Sequence, residues 1–309
     1  MVLFTSNRPL NRAENIRALY EGYDGDKFFY RVNPFISNPE LTSSKHKLRV
    51  SDEYISASPG KCLFIGHGFP SGKKVGLNQP YPYYRRENAR LITYAIAPSE
   101  NLIELVARQC GIPTEKVLPL GMPRTDAYIG KVKGDGGTQY GTKRMYLFAP
   151  TYRTKEEGAL PEIDWRHIDS RLTDDEVMIV KPHMMTKHIL HGHYRRIIEV
   201  SSELPSTPWL IDCDVLITDY STILFDAHIL RKPVILFEKK DGYLQSRGME
   251  MSYPDDYASR YCRSEDDLIS LCRFADGQGE ADRRCLEYTA GACDGHSVER
   301  IANLIGEML

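Results

Sequence analysis

The 309-residue sequence lacks any apolar run long enough to cross a membrane. No window contains the roughly 18 consecutive apolar residues that a transmembrane helix requires. The first residues, MVLFTSNRPL, also lack the basic stretch and the apolar core of a secretory signal peptide. We therefore expect a cytoplasmic protein, whose contact with the inner face of the cell membrane would be peripheral.

An excess of one charge sign and a metal-binding cysteine pattern are lacking as well. Lys and Arg number 40 and Asp and Glu 42, and the resulting net charge of -2 argues against a protein that coats nucleic acid. The seven cysteines are irregularly spaced and include no Cys-x-x-Cys pair, which argues against a zinc site. We expect these thiols to be free and mostly buried.

The sequence does contain an alternation of short apolar segments with helical ones. Segments with the pattern of strands include VLFTS, KCLFIGHG, RMYLFAPTYR, EVMIVKPH, CDVLITDYS and KPVILFE. Segments with the pattern of helices include NRAENIRALYEGY, TILFDAHILR and HSVERIANLIGEML. In SENLIELVARQCG, Ser99 is a candidate N-cap and Gly111 stands just past the predicted helix. This alternation predicts an α/β fold, with parallel sheets covered by helices on both faces.

A segment rich in glycine and charge separates two such runs of elements. It comprises residues 131–144, KVKGDGGTQYGTKR, and we interpret it as a linker or an exposed loop. We therefore predict two Rossmann-like domains, 1–135 for the acceptor and 136–309 for the nucleotide donor, with a last helix that is able to cross back. In such sheets, ligands bind beyond the carboxyl ends of the strands.

Four polar or half-polar residues, Asp219-Tyr220-Ser221-Thr222, interrupt the apolar stretch LITDYSTILFD. They stand where a predicted strand ends and a predicted helix begins. Small hydroxyl side chains at a helix start cap its free N–H groups. The same N–H groups, at the positive end of the helix dipole, bind phosphate. The stretch is therefore a helix cap alone or a cap that also holds an anion.

Polar side chains follow other predicted strands too. His67 stands between Gly66 and Gly68, which allow close approach of the backbone, and histidine suits proton transfer near neutral pH. Basic and hydroxyl groups gathered at one crevice suit a phosphate-rich ligand. The set that we predict to meet there consists of His67, Arg124, Thr151, Arg153, Lys181, His183, Ser221 and Thr222. We find no carboxylate pair with this pattern, so a two-carboxylate glycosidase site is unsupported.

Three histidines in HILHGHYRR, namely His188, His191 and His193, suggest a metal site at first. We find no acidic partner nearby, and the segment has the composition of a basic loop leading into a helix. We therefore predict that it binds no metal.

Five segments, in this order, resemble those of the CDP-glycerol glycerophosphotransferases, which make wall teichoic acids and related phosphate-linked capsules. The segments are GHGFPSGKK, GMPRTD, LFAPTYR, VKPH and DVLITDYSTILFDAHILRKPVILF. A sixth, CDGHSVERI, is similar to the terminal Asp-Gly-x-x-x-x-Arg signature of the family. The resemblance runs from about residue 60 to the end of the chain.

The resemblance implies a GT-B fold, with two Rossmann-like domains facing a cleft. It implies transfer of a polyol phosphate, glycerol phosphate first of all, from a CDP-activated donor to a hydroxyl of a cell-surface polysaccharide or lipid-linked acceptor, with release of CMP. His67 would be the general base, and His183 with Lys181 would hold the donor pyrophosphate and support the leaving CMP. The residues that would bind the donor are Gly68, Arg124, Pro150, Thr151, Arg153, Lys181, Ser221, Thr222 and Asp226. No cofactor, no metal and no nucleic acid are implied.

The chain departs from the family pattern in three places. The family usually has Trp-His-Gly-Thr-Pro where this chain has Gly66-His67-Gly68-Phe69-Pro70, and Arg-x-His-Pro where it has Lys181-Pro182-His183-Met184. Many members have a second Ser in place of Thr222. The first two changes leave open a ribitol, another polyol or a sugar as the group transferred.

Two other functions therefore stand beside the first. One is a GT-B glycosyltransferase that uses a CMP- or UDP-sugar in capsule or lipopolysaccharide synthesis. The other is a non-catalytic protein that binds a nucleotide sugar, or a degenerate subunit of a polymerase complex. The retention of His67, Arg124 and Ser221 argues against both.

A basic and aromatic segment, residues 79–90 (QPYPYYRRENAR), bears on membrane contact. Arginine and tyrosine side chains suit a lipid surface, at which a lipid-linked acceptor would be presented. The same composition suits a solvated loop, and the sequence leaves both interpretations open.

Overall fold

The chain folds around two parallel β-sheets. A computed structural model describes residues 1–33, 38–53, 57–58, 60–76, 89–140, 143–153, 160, 162–239 and 243–309. The chain divides into two compact units, of which the first comprises Met1–Ile129 with Tyr288–Leu309 and the second Gly130–Glu287. The parallel pairing of the strands confirms the predicted α/β class.

Each unit holds one sheet, and the strands are numbered along the chain. Those of the first sheet are β1 (Val2–Ser6), β2 (Lys27–Arg31), β3 (Leu48–Ser51), β4 (Lys61–Phe64), β5 (Tyr94–Ile96) and β6 (Val117–Leu118). Those of the second sheet are β7 (Arg144–Phe148), β8 (Glu176–Val180), β9 (Ile197–Glu199), β10 (Val215–Thr218), β11 (Val234–Phe237) and β12 (Arg260–Cys262). The spatial orders are β2-β1-β3-β4-β5-β6 and β12-β11-β10-β7-β8-β9.

The α-helices of the described chain are likewise numbered in order. They are α1 (Glu14–Gly22), α2 (Ile103–Cys110), α3 (Trp165–Arg171), α4 (Thr207–Asp212), α5 (Ile223–Ile229), α6 (Tyr243–Arg247), α7 (Glu265–Phe274), α8 (Glu280–Ala290) and α9 (Ser297–Met308). Among the described residues, no helix is both long and apolar enough to cross a membrane.

The predicted boundaries of the helix that contains Ser99 are confirmed. The Ser99 side chain accepts a hydrogen bond from the backbone of Asn101, at the start of a short 3-10 turn that leads into α2. Gly111 ends α2 with a φ of 70°, a left-handed conformation that favours glycine.

The sheet of the first unit is covered on both faces. On one face, α1 and α9 contribute Ile16, Leu19, Ile301 and Ile305 to an apolar core that includes Leu63 of β4. The neighbouring residue Cys62 belongs to a second core, which α2 covers. This alternation is what a strand buried on both faces requires. The packing of α9 explains why the end of the chain groups with the first unit.

The second unit has a comparable core. Alternate residues of β7, β8, β10 and β11 pack against α3 and α7, and the buried aromatic side chains of this cluster are Tyr146, Phe148, Trp165 and Phe237. All seven cysteines of the chain are free and five of them are buried, which confirms their predicted state.

The glycine-rich segment that follows residue 130 is held firmly to the second unit. The buried carboxylate of Asp212, at the end of α4, accepts backbone hydrogen bonds from Gly134, Gly136 and Thr138 at 2.8–2.9 Å. A side chain at Gly136 would place its Cβ 2.2 Å from the carbonyl oxygen of Pro208, so the close approach requires glycine there.

Candidate functional site

In the first unit, three neighbouring strands end side by side. β3 pairs in parallel with both β1 and β4, and Ser51 lies opposite Thr5 on one side and Phe64 on the other. Charged or titratable side chains follow all three ends, namely Arg8, Asp52, Glu53 and His67. The carboxyl edge of this sheet is therefore where chemistry can be assembled.

The turn after β4 presents His67. Gly66 has a φ of +62°, which a larger residue adopts only with strain, and it turns the chain directly before the histidine. The carbonyl oxygen of Gly66 accepts a hydrogen bond from the side-chain amide of Asn15 at 3.0 Å. Asn15 in turn accepts the backbone N–H of Arg124 at 3.1 Å, so one buried amide joins two of the predicted segments.

Arg124 lies beside His67, as the predicted convergence requires. Its guanidinium donates to the carbonyl oxygen of His67 at 2.8 Å and lies 5.5 Å from the centre of the Phe69 ring. Phe69 is buried beneath this cation. The phenylalanine that replaces the usual threonine of the family thus supports the arginine.

The His67 ring has an unusual electrostatic environment. Burial, and then the positive charges of Arg8 and Arg124, lower the pKa of His67 to about 3. Because 44% of the side chain is exposed, contact with water offsets part of the effect of burial on this pKa. The direction of the shift nevertheless leaves the ring neutral at pH 7 and able to accept a proton.

In the second unit, Asp219 lies buried directly after β10 and accepts hydrogen bonds from two loops. Its Oδ1 accepts the backbone N–H groups of Thr151 and Tyr220, each at 2.7 Å. Its Oδ2 accepts a hydrogen bond of 2.8 Å from the guanidinium of Arg153. The loop after β7 is therefore fixed to the loop after β10. Thr151 and Arg153, both predicted to bind the donor, are held by Asp219.

Arg153 is oriented by aromatic rings as well. Its guanidinium carbon lies 4.3 Å from the centre of the Tyr243 ring and 5.3 Å from that of Tyr220. The hydroxyl of Tyr220 donates to Glu238, directly after β11, at 2.6 Å. These contacts keep the position of the charge well defined.

The two predicted residues after β8 differ in their surroundings. Lys181 is buried, and its ammonium donates to the carbonyl oxygens of Pro182 and Ser202 at 2.9 and 3.3 Å. His183 is exposed and stacks on Tyr152, with ring centres 5.6 Å apart. Its Nδ1 accepts the backbone N–H of Met185, so a neutral ring carries its proton on Nε2 and is a hydrogen-bond donor there.

The remaining predicted residues surround the start of α5. Thr222 is the residue before the helix, and the hydroxyl of Ser221 accepts the backbone N–H of Ile223 at 3.5 Å. Both side chains are half-buried, whereas Asp226 is buried within α5. Thr222, at the N-cap position, makes no side-chain cap hydrogen bond, and the Ser221 hydroxyl contacts only the first N–H of the helix. The binding of an anion stays a prediction.

A cavity of about 620 Å³ lies at the carboxyl ends of β7, β10 and β11. Pro150 and Arg153 line it, and so do Glu238 and Lys239, which our site prediction omitted. The sequence did contain a signal for Glu238. This residue directly follows the apolar run VILF, just as other predicted site residues follow the apolar runs of their own strands. Glu162 and Trp165 also line the cavity and had no such signal.

Two statements made from the sequence are wrong. Asp52 and Glu53 do form a carboxylate pair at a strand end, which we missed because β3 was not predicted. The histidine-rich segment does have an acidic partner, because Glu199 accepts a hydrogen bond from His188 at 2.8 Å and two more from the backbone of Ile189 and Leu190. That segment leads into strand β9 and not into a helix.

Among the residues that the structure describes, no group of three or more His, Cys, Asp or Glu side chains is arranged to hold a metal ion. The basic and aromatic segment 79–90 lies outside the described residues except for its last two positions. Its contact with a membrane therefore stays a prediction.

Comparison with known proteins gives consistent matches. The chain is 28% identical over 249 residues to the teichoic acid poly(ribitol-phosphate) polymerase of Bacillus spizizenii, which covers 75% of this chain and 40% of that protein. It is 29% identical over 279 residues to the teichoic acid ribitol-phosphate polymerase TarL of Staphylococcus aureus, which covers 84% of this chain and 49% of that protein. The chain thus spans about half the length of these relatives.

The solved structure of the wall teichoic acid polymerase TagF matches the fold, with a TM-score of 0.79 at 18% identity over 99% of this chain and 88% of that one. This likeness confirms the predicted GT-B fold. The family model for CDP-glycerol:poly(glycerophosphate) glycerophosphotransferase matches residues 35–307, and the chain therefore belongs to that family.

Proposed function

We propose that the chain transfers a polyol phosphate from a CDP-activated donor to a hydroxyl of a polymer or lipid-linked acceptor and releases CMP. Membership of the family carries this proposal. Glycerol phosphate is the first candidate for the transferred group. Ribitol phosphate is the second, because the relatives described above are named as ribitol-phosphate polymerases.

The cavity of the second unit is the proposed donor site. Its volume of about 620 Å³ is within the range of small-molecule sites, and it lies where parallel sheets bind their ligands. Arg153 brings a positive charge to its wall. Pro150 and Tyr152, which flank Thr151 in the chain, also line it.

The proposed reaction needs a base and a means of stabilising charge. A neutral His67 takes the proton of the acceptor hydroxyl while the acceptor oxygen attacks the β-phosphorus of the donor. The bond between that phosphorus and the bridging oxygen breaks, and its electrons leave with CMP. His183, as an Nε2–H donor, supports the negative charge of the leaving phosphate. Positioning and charge stabilisation supply most of the catalysis in phosphoryl transfer.

Calorimetric binding of CDP-glycerol, CDP-ribitol, CMP and UDP tests the donor. We expect a CDP-polyol to bind most tightly, CMP to compete with it, and UDP to bind weakly. Selective binding of UDP would contradict the proposal and favour a glycosyltransferase.

Replacement His67→Ala separates catalysis from binding in the same assay. A general base typically contributes about 10²–10⁴-fold to a rate, and we expect a loss of transfer in this range with donor affinity retained. Radiolabelled transfer to a polyol-phosphate acceptor measures the rate. Full activity of the variant would show that His67 is not the base.

A further inference from the structure

The carboxylate of Glu53 faces the proposed base. Its Oε1 lies 3.8 Å from Nδ1 of His67 and 3.9 Å from Nε of Arg8. Glu53 is largely buried, with 17% of its side chain exposed. The contact follows from the strand order, because β3 and β4 are neighbours and both residues follow their carboxyl ends.

The same loop contacts the ring a second time. The backbone of Asp52 accepts a hydrogen bond from the His67 imidazole, which raises the pKa of the ring and so favours its protonated form. Two consecutive residues after β3 therefore hold the histidine, one through its backbone and one through its carboxylate. Because the Glu53 carboxylate lies beside Nδ1, we assign Nε2 to the acceptor hydroxyl.

The charges around His67 make such a partner necessary. Arg8, Arg124 and Lys73 all disfavour a positive charge on the ring. The Asp52 side chain carries less than a full negative charge at pH 7, because burial and then the charge of Glu53 raise its pKa to about 7. Burial also raises the pKa of Glu53, but Arg8 opposes this shift and favours the carboxylate.

We propose that Glu53 is the positioning residue of His67, orienting the imidazole and stabilising the imidazolium that forms when the ring takes the acceptor proton. This inference rests on the proposed function for the identity of the acceptor. The O–H bond of the acceptor breaks, an N–H bond forms on His67, and the Glu53 carboxylate keeps its charge throughout. The logic is that of the aspartate in a serine protease triad, which stabilises the imidazolium without becoming protonated.

Carbethoxylation of His67 by diethyl pyrocarbonate at pH 7 tests the contact without any substrate. The reaction places positive charge on the ring, as proton transfer does, and the exposed fraction of His67 leaves it open to the reagent. Peptide mass spectrometry follows this residue among the nine histidines. We expect Glu53→Gln to slow the modification about tenfold. This factor corresponds to a decrease of one unit in the pKa of the ring.

Three further variants make the result specific. Arg8→Gln removes a positive charge and is expected to speed the modification, while Glu53→Asp keeps the charge and is expected to restore part of the rate. Glu40→Gln is the matched control, because Glu40 pairs with His46 at 2.8 Å elsewhere in the same unit. It is expected to leave His67 unchanged.

An unchanged rate of His67 modification in folded Glu53→Gln would overturn the proposal. If Glu53→Gln does not fold, then Glu53→Asp decides, because it withdraws the carboxylate from Nδ1, and a modification rate equal to that of the unmodified chain would overturn the proposal. A lower kcat for CDP-polyol transfer in Glu53→Gln, with KM for the donor unchanged, is the expected kinetic counterpart. Lack of transfer by the unmodified chain would refute the proposed function but leave the reactivity test of Glu53 intact.

Discussion

At the level of single residues, the polar stretch Asp219–Thr222 has two tasks. Asp219 is buried and holds the loop after β7 through Thr151 and Arg153. Ser221 and Thr222 are more exposed and directly precede α5. The polar residues between the two apolar runs therefore fix the loop after β7 and place hydroxyl groups at the edge of the sheet.

Replacement Asp219→Asn is expected to weaken both folding and donor binding. The amide is isosteric but removes the negative charge that pairs with the buried guanidinium of Arg153. Breaking a buried ion pair from one side costs about 3–5 kcal/mol in the free energy of unfolding. Urea unfolding and calorimetry with CMP measure the two effects.

The control for this prediction is Asp174→Asn. Asp174 pairs with Arg195 and Arg196, but its side chain is 71% exposed, so we expect little change in stability. Equal losses in the two variants would show that burial of the Asp219 pair has no special role.

At the level of elements, Glu176 joins three parts of the second unit. The residue begins β8, and its carboxylate accepts hydrogen bonds from Arg273 of α7 at 2.8–3.0 Å. The hydroxyl of Tyr146 in β7 and the backbone of Thr173 also donate to it. The hydrogen bond from Arg273 is the largest cause of a pKa lowered to about 2.

This shift predicts a dependence of stability on pH. The pKa of Glu176 lies below its ordinary value of 4.5, so its contribution is complete above that value and is lost as the pH falls toward 2. Glu176→Gln should therefore lower the free energy of unfolding most at pH 7. The difference between the variant and the unmodified chain should shrink between pH 4.5 and the lowest pH at which the chain folds.

Urea unfolding followed by circular dichroism at a series of pH values measures this difference. Glu280→Gln is the matched control, because its pair with Arg284 is mostly exposed and should contribute little at any pH. A difference for Glu176→Gln that does not change with pH would contradict the prediction.

At the level of the whole molecule, the two units carry different parts of the proposed reaction. His67, Arg124 and Glu53 belong to the first unit, and the cavity with Arg153 belongs to the second. The last helix, α9, returns to the first unit and packs Ile301 and Ile305 into its core. Neither unit alone contains all of the predicted site residues.

Contact with a lipid surface is a prediction for the whole chain. If residues 79–90 bind a membrane, replacing Arg85 and Arg86 by Gln should reduce flotation with liposomes that contain anionic lipid, because each basic residue near such a surface contributes about 1 kcal/mol. The adjacent exposed pair Arg283 and Arg284 provides a matched control. Unchanged flotation of the Arg85/Arg86 variant would favour the solvated-loop interpretation.

The sequence by itself determined the local conformations and the class of fold. Apolar runs such as VLIT predict buried parallel strands, and Ser99 and Gly111 mark the limits of a helix through local hydrogen bonds and backbone conformation. The rule that ligands bind at the carboxyl ends of strands also selected His67 and Arg153 from their positions along the chain. These features depend on residues close together in sequence, so a single sequence carries them.

Only the tertiary structure decided which strand ends meet. β3 was missed because Arg49 interrupts its apolar residues. This arginine is buried in the folded chain, where it donates hydrogen bonds to Thr5, Ser51 and Ala57. Without β3 beside β4, the contact of Glu53 with His67 could not be predicted from the sequence. The hydrogen bond from Thr151 to Asp219 likewise joins residues 68 positions apart. Such contacts follow from the order of strands in the sheet, which depends on packing of the whole unit and not on local pattern.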